Sequence, residues 1–221
     1  MKKASKQNKG GDLLNKVICG DCLEVMKDLP DDSVYVVTDP PYGIGESMGK
    51  NKSRGQLARP TDYGYSEWDK SRVGKRYIEE VLRVGKECVV FGGNFYADLL
   101  PRSSSWIVWD KDNTGDFADC ELAWTSHKKA VRKFEYRWNG MLQGDMKKKE
   151  LRTHPTQKPL PLMKWVIENY TDEKLPLLDP FLGSGTTAVA AKQLGRKYIG
   201  IEIEQKYCDI AEERLKQEVL L

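Results

Sequence analysis

Leu175-Pro176-Leu177-Leu178-Asp179-Pro180-Phe181-Leu182-Gly183-Ser184-Gly185-Thr186-Thr187-Ala188 is the stretch that decides the fold. An apolar run ends at Asp179, and a glycine-rich turn then opens a helical pattern over residues 184–194. Gly183, Gly185 and Ala188 match the G-x-G-x-x-G/A fingerprint: the glycines allow a tight turn and close backbone approach to a ligand, and the small third residue lets the helix sit on the strand. Residues 197–202 read as the next strand. It ends in Glu202, 19 residues after Gly183, where a carboxylate can accept both hydroxyls of a ribose. No Lys follows the second glycine, which excludes a phosphate loop of the G-K-[ST] type.

Working outward, short apolar runs alternate with amphipathic segments. Strands are expected at 17–19, 33–38, 87–91, 105–110, 121–126, 131–138, 175–179 and 197–202. Helices are expected at 22–29, 77–83, from Phe95, at 158–170 (entered through Pro159 and Pro161), at 184–194 and at 205–216. This alternation predicts an α/β fold, a doubly wound, mainly parallel Rossmann-like sheet. Only one helix fits after Glu202, so the remaining strands must come from upstream and the order is circularly permuted. The strands before Asp21 and Asp39 are the natural continuations. Ligands of such sheets sit at the carboxyl ends of the strands, which gathers Asp179, Glu202, Asp21 and Asp39. The fingerprint alone fits a nicotinamide dinucleotide as well as S-adenosylmethionine, because both carry a ribose and an adenine.

The 221 residues suit a single domain at 13–221, preceded by a disordered basic arm at 1–12. With 39% hydrophobic and 31% charged residues, no long apolar run and no signal-peptide pattern, the chain reads as soluble and cytoplasmic, associated with the nucleoid. The five cysteines argue against a disulfide framework, and Cys19-x-x-Cys22 reads as a pair of buried thiols at a strand end. Net charge is only +3, yet residues 127–152 hold nine Lys or Arg against three acids, an excess of six. Residues 2–9 add four Lys and no acid. Segregated positive charge suits a polyanion; solvated surface lysines are the alternative.

Asp39-Pro40-Pro41-Tyr42 closes an apolar strand and begins a long loop, 43–71. An exocyclic base amine is a poor nucleophile because its lone pair is delocalised into the ring. Asp39 and the carbonyl of Pro40 can hold its two hydrogens, the paired prolines fixing the local backbone. Tyr42 offers a face for a base taken out of the helix. Such chemistry needs positioning rather than a metal.

In combination these motifs resemble the β class of DNA amino-methyltransferases, in which the catalytic motif precedes a recognition region and the glycine motif comes last. The resemblance covers residues 17–215. It implies transfer of methyl from S-adenosylmethionine to N6 of adenine, which the Asp form of the motif accompanies more often, or to N4 of cytosine. Gly20-Asp21-Cys22 matches the segment at the adenine amine, and His154-Pro155-Thr156-Gln157-Lys158-Pro159 the segment beside the methionine, with Lys158 suited to its carboxylate. The cofactor set is Asp21, Cys22, Asp39, Lys158, Asp179, Phe181, Gly183, Ser184, Gly185, Thr186, Glu202 and Ile203; the catalytic set is Asp39, Pro40, Pro41 and Tyr42. Recognition of double-stranded DNA falls to residues 43–72 and 111–153, with Lys50, Lys52, Arg54, Arg59, Arg132, Lys133 and Arg137 toward phosphates. Tyr63, Tyr65 and Trp68 are candidates to pack on the displaced base. Trp106, Trp109, Trp124 and Trp165 fall in core patterns, and His127 and His154 are expected to be structural. Phe91-Gly92-Gly93-Asn94 either lines the base pocket or makes a glycine turn. The resemblance also implies a tendency to form homodimers and a place in restriction–modification. Methylation of RNA or of a protein amide, a nicotinamide oxidoreductase and a non-enzymatic nucleic-acid binder are the other readings.

Overall fold

The computed structural model describes residues 11–44, 71–112, 118–139, 142–147, 149–154 and 156–217. Lys50, Lys52, Arg54, Arg59, Tyr63, Tyr65 and Trp68 lie outside them, as do residues 1–10 of the expected arm; its last two residues begin a 3-10 turn, Gly11–Leu13.

The strands are β1 (Lys16–Cys19), β2 (Val34–Thr38), β3 (Gly85–Phe91), β4 (Trp106–Asp110), β5 (Cys120–Thr125), β6 (Arg132–Glu135), β7 (Trp138–Asn139), β8 (Leu142–Gln143), β9 (Leu177–Asp179) and β10 (Tyr198–Glu202). The helices are α1 (Cys22–Met26), α2 (Lys75–Val84), α3 (Leu160–Tyr170), α4 (Thr186–Gln193) and α5 (Gln205–Lys216). Eight strands form one sheet in the order β1-β10-β9-β2-β3-β5-β4-β6. The permutation is realised in the centre, where the late strand β9 pairs in parallel with both β2 and β10. The sheet is parallel except at β5, which runs antiparallel to β3 and β4. The expected strand 131–138 divides into β6 and β7, and β7 pairs with β8 in a separate hairpin that the sequence pattern did not reveal.

Period-two alternation sorts the strand side chains onto two faces. Val37, Val89, Phe91 and Leu177 pack under α3 and α4 on one face. Val36, Cys88, Val90 and Leu178 pack with residues of α1 and α2 on the other. β2, Val-Tyr-Val-Val-Thr, is buried at every position, as expected of a parallel strand covered on both faces. Trp109 and Trp124 are core residues, and Trp106 and Trp165 pack against the core. Among the described residues no helix is long and apolar enough to cross a membrane.

Local chemistry sets the helix starts beneath the site. Asp21 caps α1, its carboxylate accepting from the amide of Leu23 at 2.9 Å. α3 begins after Pro159 with Pro161 in its first turn, where no helical amide bond is forfeited. α4 begins at Gly185, whose φ of +85° is left-handed and whose absent Cβ would lie 2.7 Å from that of Ala211 in α5.

Candidate active site

From the β9–β2 pair the chain leaves in opposite directions, through α4 to β10 and through α2 to β3. Such a switch point opens a crevice at the carboxyl ends of the strands. A cavity of about 270 Å3 lies there, and Asp21, Asp39, Asp179 and Glu202 all line it. The two motifs that stand at opposite ends of the sequence therefore share one cleft.

The glycine turn forms one wall. Gly183 has φ +54°, and a Cβ built on it would meet nothing nearer than the His154 ring at 3.7 Å. Its amide donates to Glu202 Oε2 at 2.7 Å, and the amide of Glu204 donates to Oε1 at 2.9 Å. These bonds orient the Glu202 carboxylate and leave lone pairs for further donors. Burial raises the pKa of Glu202 against those amides. Asp21, Cys22, Phe181, Ser184, Thr186 and Ile203 complete this end. Burial and neighbouring Asp21 push the Cys22 thiol up to about 12, so it stays protonated. Of the CxxC pair only Cys22 is buried; Cys19 is exposed, contrary to the sequence reading, because it ends an edge strand.

Two expected cofactor residues do other work. Gly185 turns away from the cavity and backs onto Ala211. Asp179 lines the cavity, but its oxygens are engaged by the hydroxyls of Thr38 at 2.7 Å and Thr187 at 2.6 Å and by the Phe181 amide at 3.1 Å. It thus ties β2 to α4, and burial raises it to about 6.

At the other end Asp39 is largely enclosed, 18% exposed at its side chain. Its Oδ1 accepts from the Tyr42 hydroxyl and its Oδ2 from Lys158 Nζ. Lys158 thus sits on the carboxylate of the catalytic motif rather than standing alone for a methionine carboxylate. Burial raises the pKa of Asp39; Lys158 opposes this and Glu121 adds to it. Burial also works against the Lys158 ammonium, but Asp39 and Glu121 outweigh it and the pKa ends up raised. Pro40 is buried, and Pro41 lines the cavity while its carbonyl accepts from the Tyr96 hydroxyl.

Tyr42 is not open on both faces. It stacks on Phe95 at 4.8 Å, and Gly92, at φ +63°, makes room for it: a Cβ there would fall 2.0 Å from the ring. Phe91-Gly92-Gly93-Asn94 is therefore a glycine turn that receives the Tyr42 ring. Phe95, 38% exposed, is the outer leaf of the stack.

His154 walls the cavity as a buried neutral ring. Its Nδ1 accepts from the Thr156 amide at 3.3 Å, it packs edge-on to Tyr207 at 4.4 Å, and burial lowers its pKa to about 3. His127, away from the cleft, bonds the Tyr170 carbonyl at 2.9 Å. Of the expected phosphate contacts that are described, Arg132 is exposed, Lys133 pairs with Asp110 and Glu135 at 3.1 and 3.0 Å, and Arg137 pairs with Asp112. Part of the basic excess is thus answered within the fold.

Sequence reading missed Glu121 and Arg214. Glu121 had a signal: an acid on the same face of β5 as the buried Ala123 and Thr125. Arg214 had none, because in α5 it reads as one charge of a solvated face. It donates to the carbonyl (2.6 Å) and hydroxyl (3.1 Å) of Ser184 and to the Thr186 hydroxyl (3.1 Å), beneath the glycine turn.

The donor set fits S-adenosylmethionine. Asp21 and the oriented Glu202 offer acceptors for an amine and ribose hydroxyls at one end, the small turn admits the backbone close to a ligand, and the Lys158 cation stands at the other. A permuted sheet with this cleft defines a class I-like methyltransferase. Residues 108–213 match the model of a family described as DNA methylase, N6_N4_Mtase. The chain is 31% identical to the type II methyltransferase M.HinfI of Haemophilus influenzae, over 93% of this chain and 69% of that protein. It resembles the M1.HpyAVI–SAM complex with TM-score 0.54 and 25% identity, over 91% of this chain and 99% of that one. The PvuII cytosine-N4-specific methyltransferase shares the fold, with TM-score 0.60 and 18% identity over 93% and 87%. The chain belongs to the N6/N4 family of DNA amino-methyltransferases, and it is an S-adenosylmethionine-dependent DNA methyltransferase.

Proposed function

We propose that the base methylated is adenine, at N6, and that Asp39 accepts a hydrogen of its amine. The observation that carries this reading is the Asp39 carboxylate on the wall of the same cavity as the glycine turn, in the Asp-Pro-Pro-Tyr form that accompanies adenine more often. When bound, S-adenosylmethionine supplies an electrophilic methyl group on a sulfonium sulfur. Glu202 holds the ribose hydroxyls, Asp21 faces the adenine amine, and Gly183, Ser184 and Thr186 shape the turn around the amino-acid end. Lys158 serves that end and Asp39 together. Asp39 and the Pro40 carbonyl fix the target amine so that its lone pair points along the line of transfer, which positioning alone accelerates. Tyr42 orients Asp39 through its hydroxyl, and the Tyr42–Phe95 stack offers the flipped base an aromatic edge.

Residues 43–72 and 111–153 read the target. Exposed Arg132, together with Lys50, Lys52, Arg54 and Arg59, contributes phosphate contacts, with Lys133 and Arg137 joining once their acidic partners yield. Homodimerisation is part of the same reading, and sedimentation of the free protein tests it.

The decisive experiment incubates the protein with unmethylated DNA and methyl-labelled S-adenosylmethionine, then digests the DNA and identifies the labelled nucleoside. N6-methyl-2′-deoxyadenosine is expected; label on N4 of deoxycytidine would replace the adenine reading. Asp39→Asn should lower turnover by about 100-fold or more while cofactor affinity stays within a few-fold, since only the acceptor charge is removed. An active Asp39→Asn enzyme would take Asp39 out of the mechanism.

A further inference from the structure

A partly enclosed ladder of alternating charge runs from the recognition region to Asp39. Lys111, just past β4, lies 2.5 Å from Glu121 Oε1 on β5. Glu121 Oε2 lies 3.3 Å from Lys158 Nζ, which also binds Asp39 Oδ2. The two carboxylates thus flank a single ammonium, only 7% exposed. They are not equally served. Asp39 receives the aligned hydrogen bond, whereas Glu121 Oε2, itself enclosed, meets the ammonium at 3.3 Å without that alignment. A buried carboxylate oxygen left in that condition is costly and calls for an explanation.

The ammonium carries three donors on a flexible stem, so a small rotation carries one from Asp39 to Glu121. That movement matters because both Asp39 oxygens are engaged, by Lys158 and Tyr42, at the point where a target amine must bind. A carboxylate has about four lone-pair sites, but an ammonium fixed on one oxygen withdraws the charge that makes it a good acceptor.

We propose that Glu121 is a positioning residue for methyl transfer: it is the second seat of the Lys158 ammonium, and by taking it up leaves Asp39 able to grip the amine. The inference rests on the reading of Asp39 given above. No covalent step and no net proton movement is involved; one hydrogen bond is exchanged for another. The ionisation states agree. Burial disfavours the Glu121 carboxylate, but Lys158 and Lys111 outweigh it and hold its pKa below the usual range, so it is charged at neutral pH. The groups facing Asp39 are Lys158 from the segment before α3, Glu121 from β5, Tyr42 from its own loop and Asp179 from β9; Lys111 faces Glu121 from behind, and Tyr96 lies beyond Tyr42.

The test is single-turnover methyl transfer from saturating S-adenosylmethionine to unmethylated DNA across the acid range, with cofactor affinity and thermal midpoint measured in parallel. Glu121→Gln keeps the shape and removes the charge. The ammonium then remains on Asp39, so the plateau rate should fall by at least about tenfold with cofactor affinity little changed, the size expected of a misplaced catalytic group. The acid limb should move to lower pH, because Asp39 loses a neighbouring negative charge and keeps its cation. Lys111→Met should move the limb the other way, to higher pH, and it remains informative should Glu121→Gln fail to fold. An unchanged Glu121→Gln plateau, a slower rate with an unmoved limb, or shifts of the same sign in both variants would overturn the proposal. An inert Asp39→Asn beside a normal Glu121→Gln removes this inference alone, whereas an active Asp39→Asn removes the reading beneath it.

Discussion

Gly92→Ala places one methyl group where the Tyr42 ring stands. Gly92 has φ +63°, and a Cβ built there lies 2.0, 2.3 and 2.7 Å from Cε1, Cζ and Cδ1 of Tyr42. Holding a residue with a Cβ in the left-handed region costs about 1–2 kcal/mol. Forcing a group into filled space costs about 1–3 kcal/mol more. The ring cannot absorb the contact in place, because Phe95 lies 4.8 Å away on a nearly parallel plane and the hydroxyl is bonded to Asp39. Tyr42 must therefore leave, forfeiting a stack worth about 0.5–1.5 kcal/mol and the bond that orients the carboxylate. The expected outcome is a loss of about 3–6 kcal/mol in urea unfolding, with kcat reduced by about 100-fold, the scale of a displaced catalytic group. Gly183→Ala is the control. Its φ of +54° carries the same backbone cost, but its nearest contact is an ordinary 3.7 Å to His154. It should lose about 1–2 kcal/mol and weaken cofactor binding, with kcat at saturation far less affected. Equal kcat losses in the two variants, or a Gly92→Ala enzyme with normal turnover, would refute the assignment of Gly92 as the seat of Tyr42.

Two further outcomes are expected. His154, held at about 3 against an ordinary 6.5, is neutral in the folded protein while the unfolded chain takes up a proton, so stability falls as pH falls from about 6.5 toward 3. The slope from this group is at most about 1.4 kcal/mol per pH unit, and His154→Gln should remove it; stability curves of the two proteins that run parallel from pH 7 to 4 would contradict the neutral ring. Arg214→Met strips three hydrogen bonds from Ser184 and Thr186, and with Arg214 only half-buried the cost should be about 1–3 kcal/mol. Calorimetry should also show weaker cofactor binding, since the turn loses its support; unchanged affinity would make Arg214 a fold residue only.

Much of this was legible in the chain itself, and the reasons are local. A glycine fingerprint after an apolar strand is readable because left-handed turns and close approaches admit few residues. Gly183 does adopt a positive φ on the cavity wall. The acids at strand ends were readable because parallel strands end on one side of a sheet, and all four line the cleft. The antiparallel β5 and the exposure of Cys19 were not, because their pairing partners and the sheet edge are set by chain segments distant in sequence, and the strands of the β7–β8 hairpin, two residues each, are too short to show an alternation.

The sequence by itself determined which motifs meet at the strand ends: the order of strand and helix, the permuted arrangement and the two motifs follow from periodicity and from the few conformations glycine and proline permit. Only the tertiary structure decided what those residues touch. Asp39 is 119 positions from Lys158, which itself contacts Glu121 of another strand, and Arg214 is 30 positions from Ser184. Burial and electrostatic coupling depend on distances through space, and no local pattern of residues encodes them.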